Sequence, residues 1–313
     1  MHQKYIFSNI IGTFIFNEHF NLLNKKLFKN NEQKNKIEKE FEKKYKNMVR
    51  PEGKELEKTL SFFKNKEFFN DFHKNNLELT KIAIKESVKD DILIIQAINN
   101  IQEIDKSVNI LIKRLREWYA LNNPEFEYLV ENQEKFIELI LKKQTKKEKD
   151  SMGADLSKED LEPIMSLAKQ VDGLFQLRKE QEIYLNKMME KTCPNLLAIA
   201  GSTIGAKLIE QSGSLKNLME FPASTIQLLG AEKALFRHMK TGARTPKYGF
   251  LHEHPLISQN PRNLHGKIAR TLADKISLAV KVDYFKGKFI GDKLLKQVED
   301  KFSKKDTIIK QGI

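Results

Sequence analysis

A stretch of about 43 residues, from Leu77 to Tyr119, contains neither glycine nor proline. Its apolar residues recur at alternating spacings near three and four, which is typical of one face of a coiled-coil helix. They are Ile94, Ile98, Ile101, Ile104, Val108, Leu111, Leu115 and Trp118. At 1.5 Å per residue, the stretch predicts a helical rod of roughly 65 Å. The rod should end before Pro124, because the residue preceding a proline disfavours the helical conformation.

A second apolar seam follows later in the chain. Ser157 is placed to cap a helix, with Asp160 three residues on. The seam residues are Leu161, Ile164, Ala168, Val171, Leu174, Leu177, Tyr184 and Met188. A shorter helix from Pro124 to about Lys142 lies between the two seams, and the second seam ends at Cys193. Two seams of this length predict an antiparallel helical hairpin.

A long, thin hairpin buries little apolar surface by itself. We therefore expect a second copy of the chain to pack along it, which would make the protein a homodimer. The expected dimerisation residues are those of the first seam: Ile94, Ile98, Ile101, Ile104, Val108, Leu111 and Leu115. The alternative is a hairpin that packs only on its own chain.

Residues 1 to about 75 begin with a strand-like pattern. Short β-branched or aromatic runs lie around Tyr5, from Ile11 to Phe16 and from Leu22 to Phe28, with turn-forming residues between them. They predict a three-stranded meander, which a helix within residues 31 to 48 would cover. A cluster of large apolar side chains follows at Leu60, Phe62, Phe63, Phe68, Phe69 and Phe72. These side chains either fill a small core or in part face a partner protein.

Positive charge is concentrated in the C-terminal third. The chain carries 55 Lys and Arg against 42 Asp and Glu, a net charge of +13. From Gly230 to Ile290 there are 12 basic and 4 acidic residues, so this stretch supplies +8 of that total. Such a field predicts a polyanion as the partner. A solvated face without a ligand is the alternative.

Two basic helical segments flank a loop with glycine and proline in this stretch. The first begins after Gly230 and the second follows Asn260-Pro261. Each alternates cations with apolar residues, and Leu235 and Met239 of the first are free to face inward. We therefore expect one apolar and one basic face on each helix. A basic face suits phosphate contacts, which position a nucleic acid more than they read its sequence.

Other functional patterns in the sequence are weak. Cys193 is the single cysteine, so an intrachain disulfide is excluded, and the N-terminus shows no signal peptide. His252 and His254 do not match the ligand spacing of a closed zinc site. Gly201 and Gly205 are too close for a phosphate-binding loop. We expect no metal, no catalytic cluster, no membrane span and a cytosolic setting.

These patterns predict a mostly α-helical chain in four parts. The expected parts are a small α/β N-terminal domain (1–75), a long antiparallel coiled-coil hairpin (76–192), an all-helical C-terminal domain (193–300) and a basic tail (301–313).

Three C-terminal stretches closely resemble the Nop domain: Pro222 to His238, Thr241 to Gly249 and Gly266 to Arg270. Three earlier stretches are similar to the coiled-coil region of the archaeal Nop-domain scaffold protein of box C/D guide-RNA ribonucleoproteins. They are Asp91 to Ile98, Arg114 to Tyr119 and Ser151 to Leu156. The resemblance covers roughly residues 75 to 292, and residues 1 to 75 look shorter than the usual N-terminal domain of that family.

This resemblance implies a non-catalytic scaffold for RNA methylation. Members use the Nop domain to bind a kink-turn RNA already occupied by a ribosomal-type kink-turn protein, and they dimerise through the coiled coil. Their N-terminal domain holds fibrillarin, the S-adenosylmethionine-dependent 2′-O-methyltransferase that modifies rRNA or tRNA. The chain itself would then need no cofactor. The implied location is the cytoplasm of an archaeon, or the nucleolus for a eukaryotic homologue.

The resemblance also implies which residues meet RNA. The family stretch that lies against the guide RNA, with further basic positions, matches Gly230, Ala231, Glu232, Lys233, Ala234, Leu235, Phe236, Arg237, His238, Lys240, Lys247, Lys267 and Arg270. Two alternatives stay open: a spliceosomal type of Nop assembly factor without fibrillarin, and a purely structural coiled-coil protein. An enzyme acting on nucleic acid would need an acid/base or metal constellation, and the sequence offers no credible one.

Overall fold

The computed structural model of the chain describes residues 3–28, 34–45, 48–64, 66–145 and 150–303. The chain forms two compact units, Met1–Val88 and Lys89–Ile313. Helices dominate the described residues, and a small sheet lies in the first unit. The predicted fold class is therefore confirmed. The limits of the four predicted parts stay predictions, and most of the predicted tail, residues 304–313, lies outside the described residues.

The first unit contains a four-stranded sheet in the order β3-β2-β1-β4. Its strands are β1 (Lys4–Ser8), β2 (Gly12–Phe16), β3 (Leu22–Leu27) and β4 (Met48–Val49). The antiparallel pairing of β1, β2 and β3 confirms the predicted meander. The side chain of Asn9 closes the first turn by accepting hydrogen bonds from the backbone nitrogens of Ile11 and Gly12. The sequence pattern missed β4, which pairs parallel to β1 over only two residues.

Three helices accompany the sheet: α1 (Lys34–Lys44), α2 (Lys54–Phe62) and α3 (Lys66–Ser87). The predicted cluster of large apolar side chains divides between core and surface. Phe68 is buried, and its ring meets that of Phe14 edge-on at 5.6 Å. Phe69 and Phe72, by contrast, are 63% and 42% exposed. Part of the cluster therefore fills a core, and part of it faces solvent in this structure.

The predicted rod from Leu77 to Tyr119 is wrong as a single helix. Helix α3 ends at Ser87, and α4 (Asp90–Ala120) begins after Lys89, whose backbone is extended. Asp90 and Asp91 occupy the first turn of α4, where negative side chains interact favourably with the helix dipole. Asp90 and Asp91 therefore mark the start of a new helix. The prediction of one continuous helix overlooked them, because it rested on the absence of glycine and proline.

The second unit begins with the predicted antiparallel hairpin. Helix α4 packs against α7 (Lys158–Thr192). An ion pair joins Lys191 to Asp90 at 3.0 Å, and another joins Arg178 to Asp105 at 2.5 Å, so the later part of α7 lies beside the earlier part of α4. The Ser157 hydroxyl accepts a hydrogen bond from the backbone nitrogen of Asp160, which confirms the predicted cap.

Two short helices replace the single helix predicted from Pro124 to Lys142. They are α5 (Pro124–Leu129) and α6 (Gln133–Leu141). Asn132 divides them, because its side chain accepts a hydrogen bond from the backbone nitrogen of Lys135 and so starts a new helix. Phe136 and Ile137 of α6 are fully buried against the hairpin. The hairpin therefore has a third layer and does not need a second copy to complete its core.

The first seam holds the hairpin to its own chain. Ile94, Ile98 and Leu115 are completely buried, Ile101, Ile104 and Val108 are at most 6% exposed, and Leu111 is partly buried. The expectation of a dimer contact is therefore corrected for the six buried residues, because their side chains are already covered within one chain, whereas for Leu111 it stays a prediction. Self-association through other residues stays a prediction.

The second seam follows the prediction only in its first half. Ile164, Ala168 and Val171 are fully buried, as the spacing predicts. Further along, the buried positions are Leu185 and Met189, whereas Tyr184 is 40% exposed. The apolar pattern alone does not reveal this shift of one position.

The remaining helices form the C-terminal domain around α13. They are α8 (Pro194–Ser212), α9 (Leu215–Glu220), α10 (Ala223–Leu228), α11 (Glu232–Thr241), α12 (Pro255–Ser258), α13 (Arg262–Tyr284) and α14 (Gly291–Ser303). Helices α8, α9, α10 and α14 pack on α13, which buries Ile268, Leu272, Ile276 and Val280. None of the helices in the described ranges combines the length and apolar character that a membrane crossing needs.

Candidate nucleic-acid interface

A glycine, Gly230, lies at the junction between α10 and α11. Gly230 has a φ of 88°, in the left-handed region that favours glycine. A Cβ atom at this position would lie 2.8 Å from the ring of Phe250. The Gly230 backbone nitrogen donates a 2.8 Å hydrogen bond to the carboxylate of Glu232, in the first turn of α11. The sequence Gly-Ala-Glu therefore fixes the angle at which α11 departs from α10.

Helix α11 has no buried residue. Lys233, Arg237 and Lys240 are exposed, and so are Phe236 (58%) and Met239 (71%). The expectation of an inward apolar face is therefore wrong for Met239, while Leu235 is half-buried. The helix presents cations and large apolar side chains together to solvent.

The loop after α11 is attached to α10 by hydrogen bonds. The backbone nitrogen of Gly249 donates to the carbonyl of Gln227 at 3.0 Å, and the Gln227 amide donates to the carbonyl of Lys247 at 2.6 Å. A Cβ atom at Gly249 would lie 1.8 Å from the carbonyl oxygen of Leu229, so only glycine permits this approach. At the other end of the loop, the ring of His238 bonds the carbonyl of Ala243. These contacts hold the loop in one position.

The loop meets the start of α13. The exposed side chain of Lys247 lies over Gly266, and Lys267 is exposed beside it. The Tyr248 hydroxyl hydrogen-bonds His265 Nδ1 at 3.3 Å, and His265 Nε2 bonds the carbonyl of Asn260 at 2.7 Å. The structure thus places the side chain of Lys247 against Gly266, the residue before Lys267, although Lys247 and Gly266 lie 19 positions apart.

A shallow groove continues from this region between α10, α13 and α14. Its lining includes Gln227, Arg270, Asp274, Lys275 and Lys301, so three cations and one carboxylate face the groove. Gln227 therefore contributes both to the groove and to the bond that holds Lys247. Arg270 is exposed within the groove, where a phosphate could reach it.

The cations of this surface lack acidic partners. Within the described residues, no ion pair involves Lys233, Arg237, Lys240, Arg244, Lys247, Arg262, Lys267 or Arg270. We call these eight residues the basic surface. On the hairpin, by contrast, Arg178 contacts both Asp105 and Glu182. The charge of the basic surface is therefore available to an external anion.

The histidines of this region have structural roles. His254 is buried and bonds the carbonyl of Ile199 at 2.9 Å. The rings of His252 and His265 flank that of Tyr248, at 6.4 and 5.9 Å between centroids. Where the structure describes side chains, it contains no group of three or more His, Cys, Asp or Glu residues able to hold a metal ion.

The structure thus organises the predicted RNA-contact residues into two sets. Gly230 to Lys240 form the α11 segment, and Lys247, Lys267 and Arg270 form the loop and α13 segment. No hydrogen bond or ion pair between described residues links the α11 cations to the second set. Sequence reasoning missed Gln227, whose amide holds Lys247, and it did not select Arg244 or Arg262. That these residues touch RNA stays a prediction.

The basic surface lies in a part of the chain that matches a known protein family. The family model described as "Nop: snoRNA binding domain, fibrillarin" matches residues 100–304 of the chain. That range includes every residue of the basic surface.

Curated relatives align over much of the chain. An uncharacterized NOP5 family protein of Methanocaldococcus jannaschii is 40% identical in an alignment of 265 positions that covers 77% of this chain and 64% of the relative. Nucleolar protein 56 of Dictyostelium discoideum is 40% identical over 244 residues, 68% of this chain and 45% of the relative. Nucleolar protein 58 of Aspergillus fumigatus is 40% identical over 217 residues, 62% of this chain and 37% of the relative. The chain therefore spans less than two thirds of the length of these relatives.

Among solved structures, a chain from the crystal structure of a fibrillarin/Nop5p complex aligns with 95% of this chain and 98% of its own length. The TM-score is 0.47 and the sequence identity is 22%.

Proposed function

Because the chain belongs to the Nop family, we propose that it is a non-catalytic scaffold of a box C/D guide-RNA particle. In this role it binds a kink-turn RNA that already carries its kink-turn protein. It joins that complex to a fibrillarin-type 2′-O-methyltransferase, so that the enzyme methylates an RNA such as rRNA or tRNA.

One observation carries the proposal: the basic surface consists of eight exposed cations, and none of them forms an ion pair with a residue that the structure describes. The hydrogen bond from Gln227 holds the backbone of Lys247, and helix α13 holds the backbone of Arg270. Backbone that is already ordered need not be ordered on binding, so the cost of meeting a phosphate is limited to the side chains.

The mixed character of α11 supports a surface shared between RNA and protein. Phe236 and Met239 are exposed beside Arg237 and Lys240. Phosphates account for the cations, whereas exposed aromatic and thioether side chains suit a base or an apolar protein contact. A complex of RNA and protein offers both chemistries, so we expect it to bind better than the naked RNA.

The scaffold role leaves the chemistry to the partner. S-adenosylmethionine binds to the methyltransferase, and the first unit is the part we assign to holding that enzyme. Self-association of the hairpin would place two copies in one particle. For an archaeal protein of this kind, the particle would work in the cytoplasm.

Reconstitution tests the proposal. The full chain is combined with a kink-turn guide RNA, its kink-turn protein and a fibrillarin-type methyltransferase, and methyl transfer to a complementary RNA is measured with each component omitted in turn. We expect transfer only when all are present, and none from the chain with S-adenosylmethionine alone. Transfer that is unchanged without the chain would contradict the scaffold role. RNA binding without methyltransferase binding would instead favour a Nop assembly factor that lacks fibrillarin.

A further inference from the structure

The loop between α13 and α14 exposes two aromatic rings. Phe285 is 71% exposed and Phe289 is 53% exposed, and the residues between them, from Lys286 to Lys288, are exposed as well. The Phe285 ring meets that of Tyr284 edge-on at 5.2 Å, which limits its orientation. We call residues 285–289 the aromatic loop. None of its residues belongs to the basic surface.

A lysine occupies the backbone position in this loop that normally favours glycine. Lys286 has a φ of 53°. Its backbone nitrogen donates to the carbonyl of Asp283 at 3.1 Å, and that of Gly287 donates to the carbonyl of Val282 at 2.8 Å. This pair of hydrogen bonds is the Schellman arrangement that ends many helices, with glycine usual at the left-handed residue. The chain accepts an unfavourable conformation at Lys286, and such conformations concentrate at functional sites.

The far end of the aromatic loop is also fixed. The Ile290 backbone nitrogen donates a 2.6 Å hydrogen bond to the side-chain oxygen of Asn195, a buried residue at the start of α8. A Cβ atom at Gly291 would lie 2.6 Å from the Cβ of Ala198, so the chain passes very close to α8. Both ends are therefore anchored in the domain core, and the two rings are held out into solvent.

The charges around the loop favour an anionic partner. Lys281, Lys286 and Lys288 are exposed, and within the part of the chain that the structure describes none of them forms an ion pair. Asp283, just before the loop, is buried and accepts hydrogen bonds from Asn195 and Leu196, whereas Asp292, three residues after Phe289, is exposed in the first turn of α14. An apolar protein surface would leave these lysines without partners, whereas phosphates between stacked bases match them.

Helix α13 connects the aromatic loop to the basic surface. Arg270 and Lys281 are eleven residues apart, close to three turns, so they lie on one face about 16 Å from each other. Lys267 and Phe285 are eighteen residues apart, which is five turns, and also share a face. Between Arg270 and Lys281, the exposed side chains of α13 are Asp274 and Leu278, so an RNA strand that continues from the basic surface to the loop passes one carboxylate on the way.

We propose that the aromatic loop binds a single-stranded segment of RNA, with Phe285 and Phe289 stacking on bases and Lys286 and Lys288 contacting the phosphates between them. The inference rests on the proposed function, in that the segment extends from the RNA held by the basic surface. The contact tolerates any sequence, because every base offers a face for stacking.

The experiment compares two kink-turn RNAs, each with its kink-turn protein bound: one has blunt ends and the other carries a single-stranded extension of ten uridines. Affinities of the full chain are measured by fluorescence anisotropy. We expect the extension to tighten binding of the wild type by about tenfold or more, a gain within the range of base stacking. The double variant Phe285→Ala/Phe289→Ala should lose that gain and bind the blunt RNA as the wild type does. Phe69→Ala, which removes an equally exposed ring from the first unit, should keep the gain.

A second variant separates structure from binding. Lys286→Gly removes the unfavourable conformation, so the melting temperature should rise while the affinity for the extended RNA falls.

The proposal is overturned if the double variant still binds the extended RNA more tightly than the blunt RNA. It is also overturned if the extension does not tighten binding of the wild type. If the wild type binds neither kink-turn RNA, the proposed function fails, and titration with free oligouridylate then decides the inference. Loss of self-association in the double variant, with RNA affinity unchanged, would assign the loop to a protein contact and overturn the proposal.

Discussion

The carboxylate of Asp283 accepts hydrogen bonds from both the backbone and the side-chain nitrogen of Asn195, at 3.1 and 2.7 Å. It also accepts one from the backbone nitrogen of Leu196 at 2.8 Å. Asp283 lies near the end of α13, and Asn195 and Leu196 lie in the first turn of α8. Burial raises the pKa of Asp283, and these hydrogen bonds oppose that rise. The contact between Asp283 and Asn195 joins α13 to α8. The hydrogen bond from the Ile290 backbone nitrogen to the Asn195 side chain extends this connection to the end of the aromatic loop.

Removing this carboxylate should destabilise the C-terminal domain. Asp283→Ala leaves three buried or half-buried N–H donors without an acceptor, and each such donor costs about 1 to 3 kcal/mol. We expect the free energy of unfolding to fall by roughly 3 kcal/mol or more in denaturant titrations. Asp274→Ala, at an exposed position in the middle of α13, should change it by less than about 0.5 kcal/mol. Equal stability of the two variants would mean that the Asp283 network does not hold the domain.

The two left-handed glycines at the ends of α11 provide a matched comparison. Gly230 has a φ of 88° and faces the Phe250 ring at 2.8 Å, whereas Gly242 has a φ of 67° and no atom within 4 Å of the site of a Cβ. Alanine at Gly242 should cost about 1 kcal/mol through conformation alone. Alanine at Gly230 should cost more and should also weaken RNA binding, because α11 must change its angle. Thermal unfolding and anisotropy check both effects, and a smaller cost at Gly230 would contradict this description of the junction.

Arg116 holds the turn between α5 and α6. Its guanidinium donates to the carbonyl and the carboxylate of Glu127 and to the carbonyl of Val130, and it stacks over the Phe136 ring at 4.3 Å. Arg116→Met should cost about 2 to 3 kcal/mol, since these mostly buried acceptors lose a charged donor. Arg116→Lys should recover only part of that loss, because an ammonium lacks the planar fork.

Arg114 is the control for that prediction. It is exposed, and among the residues that the structure describes its ion pair is with Glu117 on the same helix, so Arg114→Ala should cost no more than about 0.5 kcal/mol. Denaturant unfolding monitored by circular dichroism gives both values. A loss at Arg114 as large as that at Arg116 would contradict the assigned role of Arg116.

His254 should make stability depend on pH. Burial lowers its pKa, although the bond to the Ile199 carbonyl and the charge of Glu299 oppose that shift. Its Nδ1 accepts a hydrogen bond from the Leu256 backbone nitrogen, so the neutral ring is the form that fits. The unfolded chain takes up the proton more readily than the folded one, so stability is full above about pH 6.5 and declines as pH falls through the lowered pKa.

The variant His254→Gln isolates this contribution. The difference in unfolding free energy between wild type and variant should be larger at pH 7.5 than at pH 5, because the wild type alone loses the His254 contribution on acidification. A difference that stays constant over this range would show that folding does not lower the pKa of His254, and would contradict the effect assigned to its burial.

Local signals made much of the fold predictable. The spacing from Ile94 to Leu115, the cap at Ser157 and the turn at Asn9 each act over a few residues, and the structure confirms the elements that they predict. The predictions that failed concern positions where two local signals compete, or where packing against a distant part of the chain decides which side chains are buried. Asp90 and Asp91 start a helix inside a continuous helical pattern, and the buried side of α7 shifts to Leu185 where α8 packs nearby.

At the candidate site, the sequence was sufficient to predict the basic residues but not the contacts that hold their backbone in place. The acid-poor composition around Arg237 and Lys267 was sufficient to predict a basic surface. The bond from Gln227 to Lys247 joins residues 20 positions apart, and no short-range pattern encodes it. The exposure of Met239 on α11 was likewise hidden, because a helical spacing of apolar residues looks the same whether or not a neighbouring helix covers it.

The central claim is that the basic surface holds RNA phosphates, and a salt-dependent binding titration tests it most directly. The wild type, Arg237→Ala and Arg114→Ala are titrated with a kink-turn RNA carrying its kink-turn protein, at several salt concentrations. Both substitutions remove one arginine, but only Arg237 lies on the basic surface. We expect Arg237→Ala to weaken binding and to reduce the slope of log affinity against log salt by roughly 0.9, the value for one lost phosphate contact. Arg114→Ala should match the wild type, whereas an unchanged affinity and slope for Arg237→Ala would contradict the claim.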